Sequence, residues 1–429
     1  MNILLTGATG FIGNTLLLEL LRQGHQVTAC CRNPQALLSK SEHIKPLPID
    51  FATVDRIEHW LPHLNGIDAV INCVGIIAES EGQTFVQLHS QTPIALFTAA
   101  TQVGVKTIIQ ISALGADAGA ASAYHLSKRA ADEALRDLSL DWFILQPSIV
   151  YGNCAQSTAL FHALAALPVH VLPDGGSQQL QPVHVDDVVT TVCRCLDGSV
   201  PAQQTIALVG PTPVTYADLL QNLRRRLSKS EAKTLALPQR YVLFAANFGQ
   251  WLDEPILSKD NIAMLSRGNT ADIAKITELL GRLPLSMSEQ VFAKPASQSE
   301  RWHAQLYFVK PVLRLVIAFV WLWSGITSLF FYPHKLSYQL LAETGITGNA
   351  APLMLYGLAF MDIGLGLSTL AMPQPRNLIF WQLCIVLIYT LVVGITLMEF
   401  WLHPFGPLLK NLPFLLTLWI YQILAGEKP

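Results

Sequence analysis

The sequence predicts an α/β half, a doubly wound parallel sheet with a small α/β region on its substrate side, followed by an all-α bundle of four transmembrane helices. Three observations carry this expectation. Glycines spaced Gly7-x-x-Gly10-x-x-Gly13 fall between a short apolar run at 3–5 and a helix-like run at 15–21. Apolar strand-like runs then alternate with helical stretches as far as about Leu145, the pattern of a parallel sheet covered on both faces. Beyond Pro311 charge nearly vanishes and long apolar runs take over.

The opening turn reads as a dinucleotide fingerprint because a strand precedes it and a helix follows. Gly7 lets the chain turn sharply, Gly10 lets backbone approach a pyrophosphate, and Gly13 lets helix pack on strand. The helix N-terminus then presents free N–H groups and a positive dipole end to the phosphates. After the Gly24-His25 turn, residues 27–31 form a strand, and Arg32 follows 19 residues after Gly13. No Asp or Glu lies between Arg22 and Lys40 to take a ribose 2′-hydroxyl, and an arginine suits a 2′-phosphate. NADP(H) is therefore the expected cofactor, ahead of NAD(H).

Strands at 69–74, 107–112 and 142–145, with helices at 85–103 and 124–138, complete a Rossmann domain over 1–150. Residues 151–294 loosen into turns, with Pro-Asp-Gly-Gly at 173–176 and Pro-x-Pro at 211–213. They form the substrate-side region, interleaved with the Rossmann domain. Its helix at 216–227 ends in Arg224, Arg225 and Arg226, which read as a solvated C-terminal turn. The apolar run at 241–252 is 12 residues long, which suits a buried or interfacial helix better than a span. Residues 295–311 read as a polar linker.

The membrane domain, 312–426, contains apolar runs at 312–331, 353–372, 378–401 and 412–424. Three are near or above the ~20 residues that cross a bilayer, and the fourth is short. Trp321, Trp323, Tyr332, Trp381, Trp401, Trp419 and Tyr421 lie toward the run ends, as in an interfacial aromatic belt. Four spans return the chain to the side it started from. Lys294, Arg301, Lys310, Arg314 and Arg376 face that side, against Lys335 and Lys410 opposite. The positive-inside rule then places the nucleotide-binding half and the C-terminus in the cytoplasm, beneath an inner (cytoplasmic) membrane. Asp362 sits mid-span, where a carboxylate is costly. It serves function, bonds helix to helix, or pairs with Arg314.

Composition excludes other classes. Of 429 residues, 51% are hydrophobic and 14% charged, and the net charge of −2 gives no electrostatic case for nucleic acid. The seven cysteines form no Cys-x-x-Cys pair and no cluster with histidine, so neither a metal site nor a disulfide framework is expected. Strand residues from position 2 leave no room for a signal peptide.

Ser112 closes a strand, and 12 residues later Tyr124 and Lys128 share one helix face. An ammonium beside a phenol lowers a pKa that starts near 10, fitting the tyrosine for proton transfer. Ser112 can hold a substrate oxygen, and Lys128 can also reach the cofactor ribose.

These residues give the chain a resemblance to the short-chain dehydrogenase/reductase family of atypical or extended type, like the epimerase/dehydratases. The matching stretches are Thr6-Gly-Ala-Thr-Gly-Phe-Ile-Gly13, Asp50-Phe51, Asn72-Cys-Val-Gly75, Ile111-Ser-Ala-Leu-Gly115, Tyr124-x-x-x-Lys128, Gln146-Pro-Ser-Ile-Val-Tyr-Gly152, Gln181-Pro-Val-His-Val-Asp-Asp-Val188 and Val209-Gly-Pro211. They are most similar to the subgroup of an NADPH-binding accessory subunit of respiratory complex I. The resemblance implies catalytic Ser112, Tyr124 and Lys128. It implies cofactor contacts from Gly7, Thr9, Gly10, Phe11, Ile12, Gly13, Arg32, Asp50, Phe51, Cys73, Val74, Gly75, Lys128 and Pro147. The chain departs from the pattern at His89, where many relatives carry Asn, and at Gln146-Pro147, where they carry Arg-Pro. The C-terminal half, from Leu313 to Pro413, resembles DoxX-like four-helix membrane proteins.

The implied activity is a membrane-anchored NADPH-dependent oxidoreductase acting on an apolar, quinone- or isoprenoid-like carbonyl, because tethering beside a bilayer concentrates lipid-soluble molecules. The alternative is a non-catalytic NADPH-loaded scaffold, assembly or redox-sensing factor whose partner is a membrane (respiratory) protein complex. A third reading, carried by Asp362, makes the bundle the active part.

Overall fold

Seven parallel strands stand side by side: β1 (Asn2–Thr6), β2 (Gln26–Cys31), β3 (Ile44–Pro48), β4 (Ala69–Asn72), β5 (Thr107–Ile111), β6 (Asp141–Pro147) and β7 (Gln204–Leu208). Their order is β7-β6-β5-β4-β1-β2-β3, so the chain reverses direction across the sheet between β1 and β4. In such sheets ligands bind at the carboxyl ends beside this switch point. The computed structural model describes residues 1–37, 42–80, 82–152, 156–243, 264–289, 295–372 and 376–426.

The strands are hydrophobic on both faces because helices cover both. Ile3, Leu5, Ile71, Ile109 and Leu145 point into one core layer, while Leu4, Val70, Ile108 and Ile144 point into the other, a period of two. Two strands carried weak sequence signals. β3 holds Pro46 and Pro48, tolerated because it is the sheet edge. β7 comes from the substrate-side region and pairs with β6 from Gln204↔Phe143 to Leu208↔Pro147.

Four helices of this half matter for the site: α1 (Phe11–Arg22), α2 (Thr92–Gln102), α3 (Ala123–Arg136) and α4 (Val185–Leu196). The stretch expected as one helix over 85–103 is a π-helical turn, Val86–Gln91, running into α2. Ser122 caps α3 by accepting the His125 N–H.

The arginine-rich helix end is not simply solvated. Arg224 is buried and donates to the carbonyls of Ala165 (2.9 Å) and Leu167 (2.6 Å) and to Ser230, closing the end of the helix Gln156–Ala166. Arg226 pairs with Glu300 at 2.8 Å. The apolar run 241–252 lies mostly outside the described residues, as do Cys154 and Lys294. The stretch expected as a polar linker carries the helix Gln298–Leu306, whose Ala304 is buried in an apolar cluster with Leu172, Tyr216 and Leu223.

The chain divides into two compact units, Met1–Ala304 and Gln305–Pro429. The second contains α5 (Val309–Ile326), α6 (Ala350–Ala371), α7 (Arg376–Thr396) and α8 (Asn411–Gly426). Three helical stretches, Gln298–Phe331, Ala350–Ala371 and Arg376–Thr396, are long and apolar enough to cross a membrane, and Asn411–Ala425 is a shorter apolar helix. Small residues let α5 and α6 touch: a Cβ on Gly325 would stand 2.5 Å from the Ala359 carbonyl.

Candidate functional site

The fingerprint glycines form a cradle, and at Gly7 and Gly13 it leaves no room for a side chain. Gly7 has φ +68°, and a Cβ there would lie 2.9 Å from the Cys73 carbonyl. A Cβ on Gly13 would lie 2.1 Å from the Gly7 oxygen, so α1 packs directly on the turn after β1. Gly10 is the N-cap of α1, no side chain caps the helix, and Thr9 and Gly10 are exposed. The first N–H groups, Phe11 and Ile12 among them, have no intrahelical acceptor and are available to phosphate. These features fit a dinucleotide pyrophosphate.

Around this cradle the carboxyl ends of the strands are cross-linked. Thr6 Oγ1 donates to Asn72 Oδ1 (2.5 Å), and Asn72 Nδ2 donates to Gln110 Oε1 (2.7 Å), which ties β1, β4 and β5. The same Asn72 oxygen accepts the Val74 N–H at 3.2 Å and so shapes the Cys73–Val74–Gly75 turn. Arg32 is exposed just after β2 and makes no hydrogen bond or ion pair among the described residues. Asp50 caps the turn Phe51–Thr53 through the Ala52 N–H (3.1 Å), with Phe51 buried against Trp60. Pro147 ends β6, and its carbonyl accepts the Leu114 N–H at 2.9 Å. Phe11 would lie 3.1 Å from a Cβ on Gly152, which puts the loop after β6 over the start of α1.

Tyr124, Lys128 and Asp132 follow at steps of four along α3. Lys128 is buried and donates to the carbonyls of Val74 (3.0 Å) and Ile111 (3.1 Å). Burial pulls its ammonium down to about 8, opposed by the nearby Asp132. The expectation that Lys128 lowers the Tyr124 phenol does not hold in this geometry. The lysine is committed to two carbonyls, and burial, with the Asp132 charge, pushes the phenol up.

His89, on the π-helical turn, meets Tyr124 edge to face with ring centroids 5.3 Å apart. Its Nε2 accepts the Ile76 N–H at 2.9 Å, which leaves the ring proton on Nδ1 facing Ser127 Oγ at 3.1 Å. Ser127 in turn donates to the Tyr124 carbonyl at 2.8 Å. Burial, then the Lys128 charge, drives the imidazole down to about 2, so it is neutral.

Sequence reasoning missed Asp132. It is fully buried; its Oδ2 accepts from Ser112 Oγ at 2.6 Å and from Gln146 Nε2 at 3.3 Å. Its signal was the acid four residues beyond Lys128. A shallow cavity of about 320 Å³, lined by Ala116, Asp117, Arg129, Arg136, Gln146 and Thr205 among others, holds none of the fingerprint residues and is not the nucleotide crevice.

In the second unit, Arg314 and Asp362 are not partners. The Arg314 guanidinium donates to the Thr369 carbonyl (3.0 Å), to Leu370 and to Met372, closing the C-terminal end of α6. Asp362 accepts from Ser324 Oγ at 2.8 Å, a bond between α6 and α5. Gln382 accepts from Trp321 Nε1 (3.0 Å) and donates to Thr369 Oγ1 (2.7 Å), joining three helices through buried polar groups.

Residues 7–163 match the NAD(P)H-binding family, and residues 318–419 match the DoxX-like family. The chain thus carries an NAD(P)-binding Rossmann domain of epimerase/dehydratase-like fold, followed by a DoxX-like domain. It is similar to the mitochondrial NADH-ubiquinone oxidoreductase 40 kDa subunit of Neurospora crassa, 25% identical over 262 residues, 60% of this chain and 68% of that protein. It is also similar to the ceramide reductase of Caulobacter vibrioides, 26% identical over 198 residues, 45% of this chain and 61% of that protein. Among solved structures, UDP-glucuronic acid 4-epimerase from Bacillus cereus in complex with NAD shares the fold at a TM-score of 0.54 and 21% identity, covering 72% of this chain and all of that one.

Proposed function

We propose that this protein is an NADPH-dependent oxidoreductase held to an inner (cytoplasmic) membrane by four spans, with its Rossmann half and C-terminus in the cytoplasm. Its substrate is an apolar carbonyl, of quinone or isoprenoid type, drawn from the bilayer. The observation that carries the reading is one arrangement: Ser112 at the end of β5 and Tyr124 and Lys128 on α3, in a chain that also bears the glycine cradle and apolar helices. The similarity to a ceramide reductase supports the substrate class.

When bound, the nicotinamide supplies or takes the hydride. Arg32 would meet the 2′-phosphate, a charge-assisted contact open to it because no other described residue occupies its guanidinium. Ser112 holds the substrate oxygen and Tyr124 moves its proton. Lys128 anchors the turn after β4 to α3 through Val74, and its third N–H would be the one to offer to a ribose hydroxyl.

A second reading keeps the dinucleotide and drops the chemistry, making the chain a scaffold or redox sensor for a membrane complex. The two-carbonyl commitment of Lys128 and the similarity to a respiratory-complex subunit favour it. The deciding experiment measures NADPH oxidation by the full-length protein in lipid nanodiscs against quinones, enals and isoprenoid ketones. In cells, Gly10→Asp blocks the pyrophosphate site and Tyr124→Phe removes only the phenol. Loss of function with Gly10→Asp alone, and no turnover on any compound, would discard the oxidoreductase in favour of the scaffold.

A further inference from the structure

A serine hydroxyl has one proton to donate, and in this structure Ser112 gives it to Asp132 Oδ2 at 2.6 Å. Asp132 has no exposed surface. Gln146 Nε2 donates to the same oxygen, and Oδ1 has no hydrogen-bond partner among the described residues. A hydroxyl that donates inward can only accept from a molecule in the crevice.

We propose that Asp132 is a positioning residue that sets the hydrogen-bond polarity of Ser112, and so whether the site takes the oxygen of a carbonyl or that of an alcohol. The inference rests on the oxidoreductase reading above and adds to it a substrate-selecting group that never touches substrate. With Asp132 ionised, Ser112 turns lone pairs to the crevice, which suits a substrate hydroxyl. With Asp132 protonated, its O–H donates to Ser112 Oγ and the serine proton turns outward, which suits a carbonyl oxygen. One proton is taken from solvent in this change and no other bond is made or broken.

The surroundings favour such a change. A buried carboxylate with one bare oxygen is costly, and protonation relieves that cost. Burial pushes the Asp132 carboxyl up to about 6, against the hydrogen bonds from Ser112 and Gln146 and the charges of Lys128 and Arg136. Its titratable neighbours on α3 are Tyr124, Lys128 and Arg136. The groups that meet it from β5 and β6, Ser112 and Gln146, are uncharged. Protonation of Asp132 sets the site for carbonyl and ionisation sets it for alcohol, and burial brings the changeover up toward neutral pH.

The test uses full-length protein in nanodiscs with ¹³C-carboxyl-labelled aspartate, the Asp132 signal being assigned by its loss in Asp132→Asn. The expected midpoint is near 6, rising by about one pH unit in Ser112→Ala because a bond to the ionised form is gone. A midpoint near 4, or one that Ser112→Ala leaves in place, overturns the proposal. The probes 2-decanone, on the NADP⁺ form, and 2-decanol, on the NADPH form, then read the consequence. From pH 5 to 8, ketone binding should weaken and alcohol binding strengthen, each by about tenfold, the worth of one hydrogen bond. Asp132→Asn should bind both dinucleotides normally and lose both trends. Trends that persist in Asp132→Asn overturn the proposal. If neither probe binds while the Asp132 titration moves as expected, the substrate class falls and the Asp132–Ser112 coupling stands.

Discussion

Gly13→Ala tests the cradle most directly. The added Cβ would stand 2.1 Å from the Gly7 oxygen, 2.8 Å from the Gly7 carbonyl carbon and 3.2 Å from Ala8 Cα. Carbon and carbonyl oxygen in ordinary contact are about 3.3 Å apart, so the first turn of α1 must withdraw by roughly 1 Å. A phosphate contact of about 2.9 Å then becomes about 3.9 Å, beyond hydrogen-bonding range. Losing two charge-assisted bonds at about 1.5–3 kcal/mol each weakens dinucleotide binding by roughly 10²–10⁴-fold. The displaced helix also costs about 1–3 kcal/mol of stability, the usual penalty of overpacking. Calorimetric titration of the full-length protein with NADPH gives the affinity, and a thermal melt verifies that the variant is folded. A folded Gly13→Ala that binds NADPH within threefold of the wild type would refute the assignment of this turn as the pyrophosphate site.

Three other outcomes are expected. Arg32→Ala should abolish a preference for NADPH over NADH of roughly 10–100-fold and leave the melting temperature unchanged, since the side chain is exposed and has no partner among the described residues; equal affinities in the wild type would refute it. Tyr124→Phe keeps the ring contacts with Phe85 and His89, so dinucleotide affinity should hold while turnover falls about 10²–10⁴-fold; unchanged turnover would remove Tyr124 from proton transfer. Glu343→Cys, at the end of the exposed helix His334–Glu343, should react with an impermeant thiol reagent added outside intact cells, and protection there would reverse the proposed topology.

Much of the fold was legible because it rests on local rules. Strands buried on both faces must be apolar through their middles, and 3–5 of β1, 69–71 of β4, 108–109 of β5 and 142–145 of β6 are. The glycine turn needs no tertiary information, since its spacing is its geometry. What escaped depends on partners distant in sequence. β3 is a strand only because β2 pairs with it, from Val27↔Ile44 to Cys31↔Pro48. Arg224 resembled any charged helix end until the carbonyls of Ala165 and Leu167 arrived beneath it. Lys128 was legible as a site residue, but not its commitment to Val74, in the turn after β4, and Ile111, at the end of β5. Asp132 shows the same limit, because an acid on a helix declares nothing until Ser112 and Gln146 close around it.

The two departures from the family pattern, His89 and Gln146, each have a definite place in the hydrogen-bond network around Tyr124 and Ser112. His89 is not a vacant substitute for asparagine. Its neutral ring takes the Ile76 N–H and faces Ser127, so it holds the turn after β4 against the helix that carries Tyr124. A protonated imidazole could not accept that N–H, and burial beside Lys128 keeps it unprotonated. Gln146 is more telling. An arginine at this point would set a permanent charge against Asp132 and hold it ionised, fixing Ser112 as an acceptor. Glutamine gives Asp132 one neutral donor, at 3.3 Å, and spends its other contact on the Ala116 carbonyl at 3.2 Å. The carboxyl is thereby left able to take a proton, and Ser112 able to turn.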